Sequence, residues 1–259
     1  MQNPTFSVII VNYNGGHYLH DAVQSLTQQT FRDFELIVLD NASTDGSADT
    51  LDLSEFPSAR LVKMDDNLGF AAANNLGARL AKGRWLALLN PDAVAAPDWL
   101  HQVVLANRRH PECRVFASAQ YNAQDPDKID GAGDAYLIMG VPWRGGYGHH
   151  RTAMPGEGEC FSPCGAAAIM DRELFLTHNG FDERFFCYCE DVDLGFRFQL
   201  AGEACWFLPN AKVYHAGSAI SGVGSPFSTY HGTRNRLWTY VKNMPLALQL
   251  LTLPAHIVL

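Results

Sequence analysis

The sequence predicts an α/β protein with a doubly wound parallel sheet. Three apolar runs near the start of the chain, residues 6–11, 34–39 and 60–64, have the length and composition of buried strands. Each run is followed by a helical pattern or a helix-capping segment, and a fourth apolar run occupies residues 84–89. Strands that alternate with helices in this way are typical of parallel sheets.

The connections between these strands support the prediction. Apolar residues recur at helical spacing over residues 18–26, after the first strand. Residues 41–47 form a polar loop and helix cap after the second strand. The third strand leads through residues 67–69 into an Ala-rich helix that continues to Leu80 and is ended by Gly83.

The second half of the chain is less regular. Residues 122–159 are rich in Gly, Asp and Pro, which predicts a long loop or short hairpins. Such segments in compact domains are usually binding loops or lids. The patterns predict further strands at residues 114–121, 164–170 and 204–208, and helices that begin at Pro97 or occupy residues 172–177, 190–201 and 230–241.

Composition and charge exclude some classes of protein. The chain has 259 residues, enough for one large domain or two small ones, and its 47% hydrophobic and 18% charged residues suit a globular enzyme. A formal net charge of −8 argues against nucleic-acid binding, which needs a basic face. The six Cys lack paired C-x-x-C spacing, which disfavours structural zinc. No signal-peptide pattern opens the chain, so we expect a reduced, cytoplasmic protein.

Polar side chains follow the predicted strands at the point where each strand ends. Asn12, Asp40, Asn67 and Asp92 all fall at one edge of the sheet, which is where ligands bind in open α/β sheets. Pro91 stops the fourth strand because it cannot donate to a ladder. An Asp after Pro is also common in ordinary turns, but chance would scatter polar residues along both edges. We therefore predict a binding site here, with Asp92 placed to hold a divalent cation on a diphosphate.

A second group of acids opens the helix predicted after residue 189. Glu190, Asp191 and Asp193 lie in its first turn, where acidic side chains favour the helix dipole. The dipole accounts for one or two of them. An aromatic run at residues 185–188 precedes all three and would partly desolvate them, which makes them candidates for catalysis.

The order of motifs resembles the inverting family 2 glycosyltransferases of the GT-A fold, and within them the bacterial rhamnosyltransferase and galactofuranosyltransferase branch. The resemblance implies a Rossmann-like nucleotide-binding half (residues 1–110), an acceptor and catalytic half (residues 111–225), a mixed central sheet and a C-terminal helical segment (residues 226–259). It covers nearly the whole chain and is carried by Val11-Asn-Tyr-Asn14, Asp40-Asn-Ala-Ser-Thr-Asp-Gly46, Asn67-Leu-Gly-Phe-Ala-Ala-Ala-Asn-Asn75, Leu89-Asn-Pro-Asp92, Gly180-Phe-Asp-Glu-Arg-Phe-Phe186, Glu190-Asp-Val-Asp193 and His215.

The resemblance implies a nucleotide-sugar donor and a divalent cation, Mg²⁺ or Mn²⁺. Asp92 matches the second acid of the family's D-x-D motif. His215 matches the family's metal-ligating histidine, although a lone histidine after a strand is more often structural. Asn90 stands where many members have the first acid, and a neutral ligand there weakens metal binding. The residues implied to bind the nucleotide sugar are Asn12, Asn14, Asp40, Asn41, Asn67, Gly69, Asn74, Asn90 and Asp92.

Asp191 matches the family's catalytic base. In a single displacement the acceptor hydroxyl attacks the anomeric carbon opposite the leaving group, and one carboxylate takes its proton. The nucleophilic second carboxylate of retaining glycosidases is not required. The choice of Asp191 over Glu190 rests on the family, because spacing cannot decide between them. Glu190 and Asp193 are expected to orient the acceptor or to hold the start of the helix.

The resemblance favours dTDP-L-rhamnose as the donor, with UDP-galactofuranose, UDP-galactose or another UDP-hexose, and GDP sugars as alternatives. A nucleotidyltransferase would need a phosphate loop rich in Gly, Arg and Lys near the N-terminus, and residues 8–20 contain no Lys or Arg. A non-catalytic nucleotide-sugar-binding module is disfavoured because Asp92, Asp191 and His215 are all intact.

The acceptor is expected to be a glycan or a lipid-linked glycan in cell-surface polysaccharide synthesis. Arginine side chains can bond a phosphate through two donors, and the nearly uncharged residues 244–259 suit the inner face of the cytoplasmic membrane. The alternative is that the arginines pair with core acids and that the tail packs as an ordinary helix. The residues expected at the acceptor are Trp143, Tyr188, Asp193, Arg234 and Arg236.

Overall fold

The computed structural model describes residues 3–217, 222 and 224–258. Met1 and Gln2, at the predicted chain start, and Leu259, at the end of the predicted tail, lie outside the described residues. The strands are β1 (Phe6–Asn12), β2 (Phe34–Asp40), β3 (Ala59–Lys63), β4 (Trp85–Leu88), β5 (Ala93–Ala95), β6 (Val115–Asn122), β7 (Ile129–Ala132), β8 (Asp134–Leu137), β9 (Val141–Arg144), β10 (Gly158–Cys160), β11 (Ala168–Asp171) and β12 (Cys205–His215). The α-helices are α1 (His17–Thr27), α2 (Gly69–Leu80), α3 (Trp99–Arg109), α4 (Arg172–Thr177), α5 (Glu190–Leu200), α6 (Pro226–Asn243) and α7 (Leu246–Val258).

A ten-stranded mixed sheet forms the centre of the protein. Eight strands follow the order β10-β12-β6-β11-β4-β1-β2-β3, while β5 pairs with β12 and β7 pairs with β6. Strands β1 to β4 are parallel, whereas β11 is antiparallel to both β4 and β6. This order confirms the predicted mixed sheet with a parallel first half.

Helices cover both faces of the sheet. Successive strand residues point to opposite sides, so each strand contributes side chains to both of the cores beneath the helices. In β1, Val8 and Ile10 pack into the core that contains residues of α1 and α3. Ile9 and Val11 pack into the core that contains residues of α2, α4 and α5. β1 is buried along its whole length, as a central strand of a doubly wound sheet must be.

The segment after β2 contains no helix, so the second of the three predicted strand–helix units is wrong. Residues 41–58 form turns and bends. The side-chain amide of Asn12 donates to the hydroxyls of Ser43 and Ser47, both at 3.0 Å. Asp45 accepts from the backbone amide of Ser47 at 3.0 Å. Local side-chain bonds of this kind compete with helix formation.

The strand predicted over residues 164–170 is shorter than expected. A single 3₁₀ turn, Gly165–Ala167, comes first, and only Ala168–Asp171 forms strand β11. The backbone amide of Gly165 donates to Asp191 Oδ2 at 2.7 Å. This bond directs the amide to a side chain instead of a neighbouring strand.

The strand predicted over residues 204–208 is longer than expected and continues to His215 as β12. Its pairing with β6 shifts beyond Leu208, at Pro209, which has no N–H for the ladder. After the shift β12 also pairs antiparallel with β5. The extension therefore carries His215 to the strand that follows Asp92.

The segment over residues 122–159 forms short hairpins, as one of the two predicted alternatives requires. β7 returns along β6, and β10 adds an outer strand beside β12. β8 and β9 form a separate hairpin in which Asp134 lies opposite Arg144. This hairpin projects from the main sheet beside the C-terminal helices.

The C-terminal segment forms two helices, and a buried ion network fastens α6 to α5. Asp193 is fully buried and accepts from Arg197 Nε at 3.0 Å, Lys242 Nζ at 2.9 Å and Asn243 Nδ2 at 2.7 Å. Two cations and an amide thus compensate the burial of this carboxylate. In the part of the chain that the structure describes, no helix has the length and apolar content of a membrane span.

Candidate active site

A cavity of about 420 Å³ opens at the carboxyl edge of the sheet. It is lined by the loops after β1, β2 and β4, by the end of β12, by the β8–β9 hairpin, by the loop before α5 and by α6. The edge at which polar residues were predicted to gather is therefore the edge that carries the cavity.

Four charged side chains form a network beside the cavity. The carboxylate of Asp92 lies 3.2 Å from Nε2 of His215. Nδ1 of the same ring lies 2.8 Å from the carboxylate of Asp130, which accepts from the guanidinium of Arg144 at 3.1 Å. This network of side chains joins the loop after β4 to the end of β12 and to the β8–β9 hairpin.

The two carboxylates set the protonation of His215. Burial lowers the pKa of the ring, but the hydrogen bonds to Asp130 and Asp92 and their negative charges outweigh it and raise the pKa to about 9. At neutral pH both ring nitrogens therefore carry protons. A cation beside Asp92 would take the place of the Nε2 proton, while Asp130 keeps the ring oriented, as carboxylates behind metal-bound histidines do.

The residues here fit a divalent cation that shares its coordination with a substrate. Asn90 Oδ1 is buried without a hydrogen-bond partner, and the amide nitrogen of the same side chain lies 3.4 Å from Nε2 of His215. The described ranges of the chain contain no group of three His, Cys, Asp or Glu arranged to hold a metal ion. One carboxylate, one imidazole and one unpaired amide oxygen suit a cation that completes its shell with phosphate oxygens.

Asp191 lines the cavity from the first turn of α5. Its Oδ2 accepts from the amide of Gly165 at 2.7 Å and its Oδ1 from the amide of Val192 at 2.8 Å, so its orientation is fixed. Glu190, next to it, is buried and has one oxygen without a partner. Burial, together with the charge of Asp191, raises the pKa of Glu190 well above its usual range. Glu190 therefore favours its protonated form.

The loop before α5 has a strained backbone. Phe186, Tyr188 and Cys189 have φ angles of 65°, 72° and 64°, in the left-handed region that side chains with a Cβ rarely adopt. Phe186 also packs on Gly69, where an added Cβ would lie 2.5 Å from the Phe186 ring. Gly69, predicted to bind the nucleotide sugar, is thus also required for the close approach of α2 to this loop.

The side chain of Asn235 in α6 holds the same loop. It is fully buried, and its amide donates to the carbonyls of Phe185, Cys187 and Tyr188 at 2.9, 2.8 and 2.7 Å. Buried carbonyls that are satisfied in this way compensate backbone strain. Helix α6 therefore fixes the loop that positions Asp191, a role the sequence did not reveal.

The structure divides the predicted nucleotide-sugar residues into two groups. Among the described residues, those on the cavity wall are Asn41, Asn67, Gly69, Asn90 and Asp92, and those away from it are Asn12, Asn14, Asp40 and Asn74.

The second group supports the loops instead. Asn12 is fully buried, donates to Asp40 Oδ1 at 2.9 Å and accepts from the amide of Gly15 at 3.2 Å. Asn14 accepts from a backbone amide of the loop after β2 at 2.8 Å. Asn74 donates to a carbonyl one turn earlier in α2 at 2.9 Å. The hydrogen bonds named here are all made within the protein.

The predicted acceptor residues divide in the same manner. Trp143 and Tyr188 line the cavity, whereas Asp193, Arg234 and Arg236 do not. Asp193 belongs to the network between α5 and α6. Arg234 donates to the carbonyl of Phe185 at 3.0 Å and lies 4.3 Å from the centre of the Trp238 ring. Among the described residues, neither Arg234 nor Arg236 forms an ion pair with an acid. The structure therefore does not support the alternative in which both arginines pair with core acids.

Three residues of the site were missed. Asp134 and Arg144 line the cavity, and Asp130 lies behind them. Burial and the charge of Asp191 raise the pKa of Asp134 to about 7, although Arg144 lowers it. All three lie within residues 122–159, where no periodic pattern singled them out. The available signal was the length and composition of the segment, which indicated a binding loop but did not distinguish these three residues.

Similarity to known proteins identifies the family of this chain. The model described as "Glycosyl transferase family 2" matches residues 7–177, more than half of the chain. An N-acetylglucosaminyl-diphospho-decaprenol L-rhamnosyltransferase of Mycobacterium tuberculosis is 30% identical over 243 residues, covering 83% of this chain and 77% of the relative. The O-antigen biosynthesis protein RfbC of Myxococcus xanthus is 30% identical over 233 residues, covering 83% of this chain and 18% of that protein.

Solved structures share the fold. TarS of S. aureus superposes with a TM-score of 0.65 at 17% identity, covering 98% of this chain and 43% of that one. GalNAc-T7, solved with UDP, GalNAc and Mn²⁺, gives a TM-score of 0.72 at 18% identity, covering 93% of this chain and 48% of that one. This chain thus spans about half the length of these two structures, whose likeness confirms the predicted GT-A fold. With the family match and the rhamnosyltransferase relative, it follows that the chain belongs to glycosyl transferase family 2.

Proposed function

We propose that the protein is an inverting glycosyltransferase that moves a sugar from a nucleotide-sugar donor to a hydroxyl of a glycan or lipid-linked glycan acceptor. The observation that carries the proposal is that Asp191 and the Asp92–His215 pair line one cavity. One carboxylate can accept the proton of the attacking hydroxyl, and the pair can receive the leaving diphosphate. A single displacement needs these two functions together.

The preferred donor is dTDP-L-rhamnose. Two features support it: the mycobacterial relative is an L-rhamnosyltransferase, and the chain has the Asn-Pro-Asp sequence that ends at Asp92. UDP-galactofuranose, UDP-hexoses and GDP sugars are the alternatives. Asn41 and Asn67, joined by a 2.7 Å hydrogen bond on the cavity wall, are proposed to contact the nucleotide. Asn12 and Asp40 hold the loop behind them.

Asp92 and His215, with the unpaired oxygen of Asn90, are proposed to hold Mg²⁺ or Mn²⁺. When bound, the cation neutralises the charge that develops on the departing diphosphate. An imidazole ligand favours Mn²⁺. The chain itself supplies orientation, because Asp130 fixes the ring of His215 at 2.8 Å.

Asp191 is proposed as the general base. Its carboxylate is held by the backbone amides of Gly165 and Val192, so it meets an acceptor hydroxyl in one orientation. The raised pKa of Glu190 keeps a proton on that neighbouring acid, which makes it a poor proton acceptor. Environment therefore supports the choice of Asp191 that spacing could not make.

The β8–β9 hairpin is proposed to bind the acceptor. Asp134 and Arg144 present a carboxylate and a guanidinium to the cavity, and both can bond sugar hydroxyls. Trp143 beside them offers an exposed aromatic ring, whose apolar face can cover a sugar ring. We therefore assign part of acceptor recognition to residues 122–159, the segment for which the sequence predicts a binding loop or lid.

The donor and the stereochemistry can be tested directly. We expect dTDP-L-rhamnose, among a panel of dTDP-, UDP- and GDP-sugars supplied with Mn²⁺, to give the fastest release of nucleoside diphosphate when a glycan acceptor is present. Proton NMR of the product should show an anomeric configuration opposite to that of the donor. Retention of configuration would remove the single-displacement mechanism, and a faster UDP-sugar would replace the donor.

Asp92→Ala should abolish transfer and metal-dependent nucleotide binding, because it removes the charged ligand at the strand end. His215→Ala should weaken both to a smaller extent. Titration calorimetry of the nucleoside diphosphate with and without Mn²⁺ measures the binding. Glu112→Ala, an exposed acid at the opposite end of β6, is the matched control. An undiminished rate of the unaltered enzyme in EDTA would show that no cation is needed.

Asp191→Asn should keep the fold and the donor affinity and lower turnover by roughly 10²-fold or more, the scale of a lost general base. Asparagine has the same shape and its oxygen can still accept from the Gly165 amide, while the basic group and the bond from the Val192 amide are lost. Steady-state kinetics with saturating donor measure the effect. Normal turnover in this variant would transfer the role to another acid, with Glu190→Gln as the next variant to assay.

Asp134→Asn should raise the KM for the acceptor and leave the KM for the donor unchanged. It should also alter stability. The pKa of Asp134 is raised from 3.8 to about 7, so folding takes up a proton between these pH values and the free energy of unfolding falls as pH rises through them. Urea unfolding of the variant should lose this dependence and show greater stability at pH 8. Asp125→Asn is the control, and an unchanged acceptor KM would exclude Asp134 from the acceptor site.

A further inference from the structure

Helix α7 turns its polar residues inward and its leucines outward. Thr252 and His256 are only 8% and 6% exposed, whereas Leu246, Leu250 and Leu251 are 69%, 70% and 74% exposed. A helix on the surface of a soluble domain shows the opposite arrangement. We therefore expect the leucines on the outer face of α7 to contact an apolar partner.

Specific contacts hold α7 in this orientation. The hydroxyl of Tyr240 in α6 donates to the carbonyl of Gln249 at 2.9 Å and lies 2.9 Å from the hydroxyl of Thr252. The ring of His256 stacks on Tyr240 with centroids 3.9 Å apart. Rotation of the helix to bury its leucines would break all three contacts, so the exposure is built into the packing.

The turn of the β8–β9 hairpin continues the apolar surface. Leu137 and Ile138 are 45% and 56% exposed, and the next residue, Met139, places its carbonyl 3.0 Å from Nδ1 of His256. Gly140 has a φ of 86°, and a Cβ there would lie 2.4 Å from the Tyr240 ring. The turn and α7 thus pack directly together. We name the residues Leu137, Ile138, Leu246, Leu250 and Leu251 the apolar face.

Charge distinguishes the partner that fits this face. The whole chain has a formal net charge of −8, yet its last acidic residue is Glu203. The residues that follow include no Asp or Glu. Lys242 of α6 is already paired with Asp193, so Arg234 and Arg236 are the cations of α6 without an acidic partner among the described residues. Exposed leucines beside these basic side chains complement an anionic lipid surface, whereas a second copy docked through the same face would place like charges opposite each other.

We propose that the apolar face docks on the surface of an anionic lipid bilayer, with the hairpin turn and α7 both in contact with lipid. The same hairpin lines the cavity through Pro142 and Trp143, and α6 lines it through Phe227 and Gly232. Docking therefore places the cavity next to the bilayer. That an acceptor would reach the cavity from the lipid rests on the proposed function, but the docking itself does not.

The test is co-sedimentation of the full chain with phosphatidylcholine vesicles that contain or lack phosphatidylglycerol. Two double variants remove the two parts of the face: Leu250→Gln with Leu251→Gln in α7, and Leu137→Gln with Ile138→Gln in the hairpin. Leu200→Gln, an exposed leucine at the end of α5, is the matched control. Circular dichroism melting should be unchanged in all of them, because the substituted side chains face outward.

We expect the full chain to bind anionic vesicles, less strongly as salt rises, and each double variant to bind at least about tenfold more weakly. The control should bind like the unaltered protein. Transfer to a water-soluble acceptor should be unaffected by the α7 double variant, which lies outside the proposed acceptor site, so a failure of transferase activity would count against the proposed function and not against docking. If either double variant bound anionic vesicles as tightly as the unaltered protein, the substituted part of the apolar face would not contact lipid. A dimer in sedimentation velocity that the α7 variant dissociates would assign the face to a second copy and overturn the proposal.

Discussion

The ring of His215 lies between two buried carboxylates, and the arrangement of the cavity depends on this contact. Asp92 comes from the connection between β4 and β5, Asp130 from β7 and His215 from the end of β12. These elements meet because β12 pairs with β6 on one side and with β5 on the other. One imidazole thus joins the parallel half of the sheet to the half that carries the hairpin, at the edge where a diphosphate is proposed to lie.

The parts of the fold with a strong local pattern could be predicted from the sequence. β1, β2 and β4 are apolar runs buried on both faces, and parallel pairing forces their polar end residues to one edge. That residues 41–58 form no helix could not be predicted, because hydrogen bonds from Asn12, about 30 positions earlier, hold this segment as a loop. Length and polarity alone did not distinguish that loop from the start of a helix.

The site was predicted in part for the same reason. Asp92 and Asp191 lie at element boundaries on the cavity wall, so motif and position agree. Asn12 and Asp40 have the same polar-at-strand-end pattern, yet their side chains bond each other at 2.9 Å and are buried. A pattern can place a polar group at an edge but cannot show whether its hydrogen bonds are already used. Asp134 enters the cavity only through hairpin pairing, which no periodicity in a Gly-rich segment encodes.

The glycine at the hairpin turn has a consequence for how such proteins can be recombined. Gly140 leaves no space for a side chain beside Tyr240 and His256, and the contact between Met139 and His256 joins residues 117 positions apart. The cavity-lining hairpin and the C-terminal helices must therefore match each other in shape. A chimera whose imported hairpin carries any residue other than glycine at this position would force a Cβ into the Tyr240 ring. The hairpin and the terminal helices thus form one packing unit, although 117 positions separate Met139 from His256.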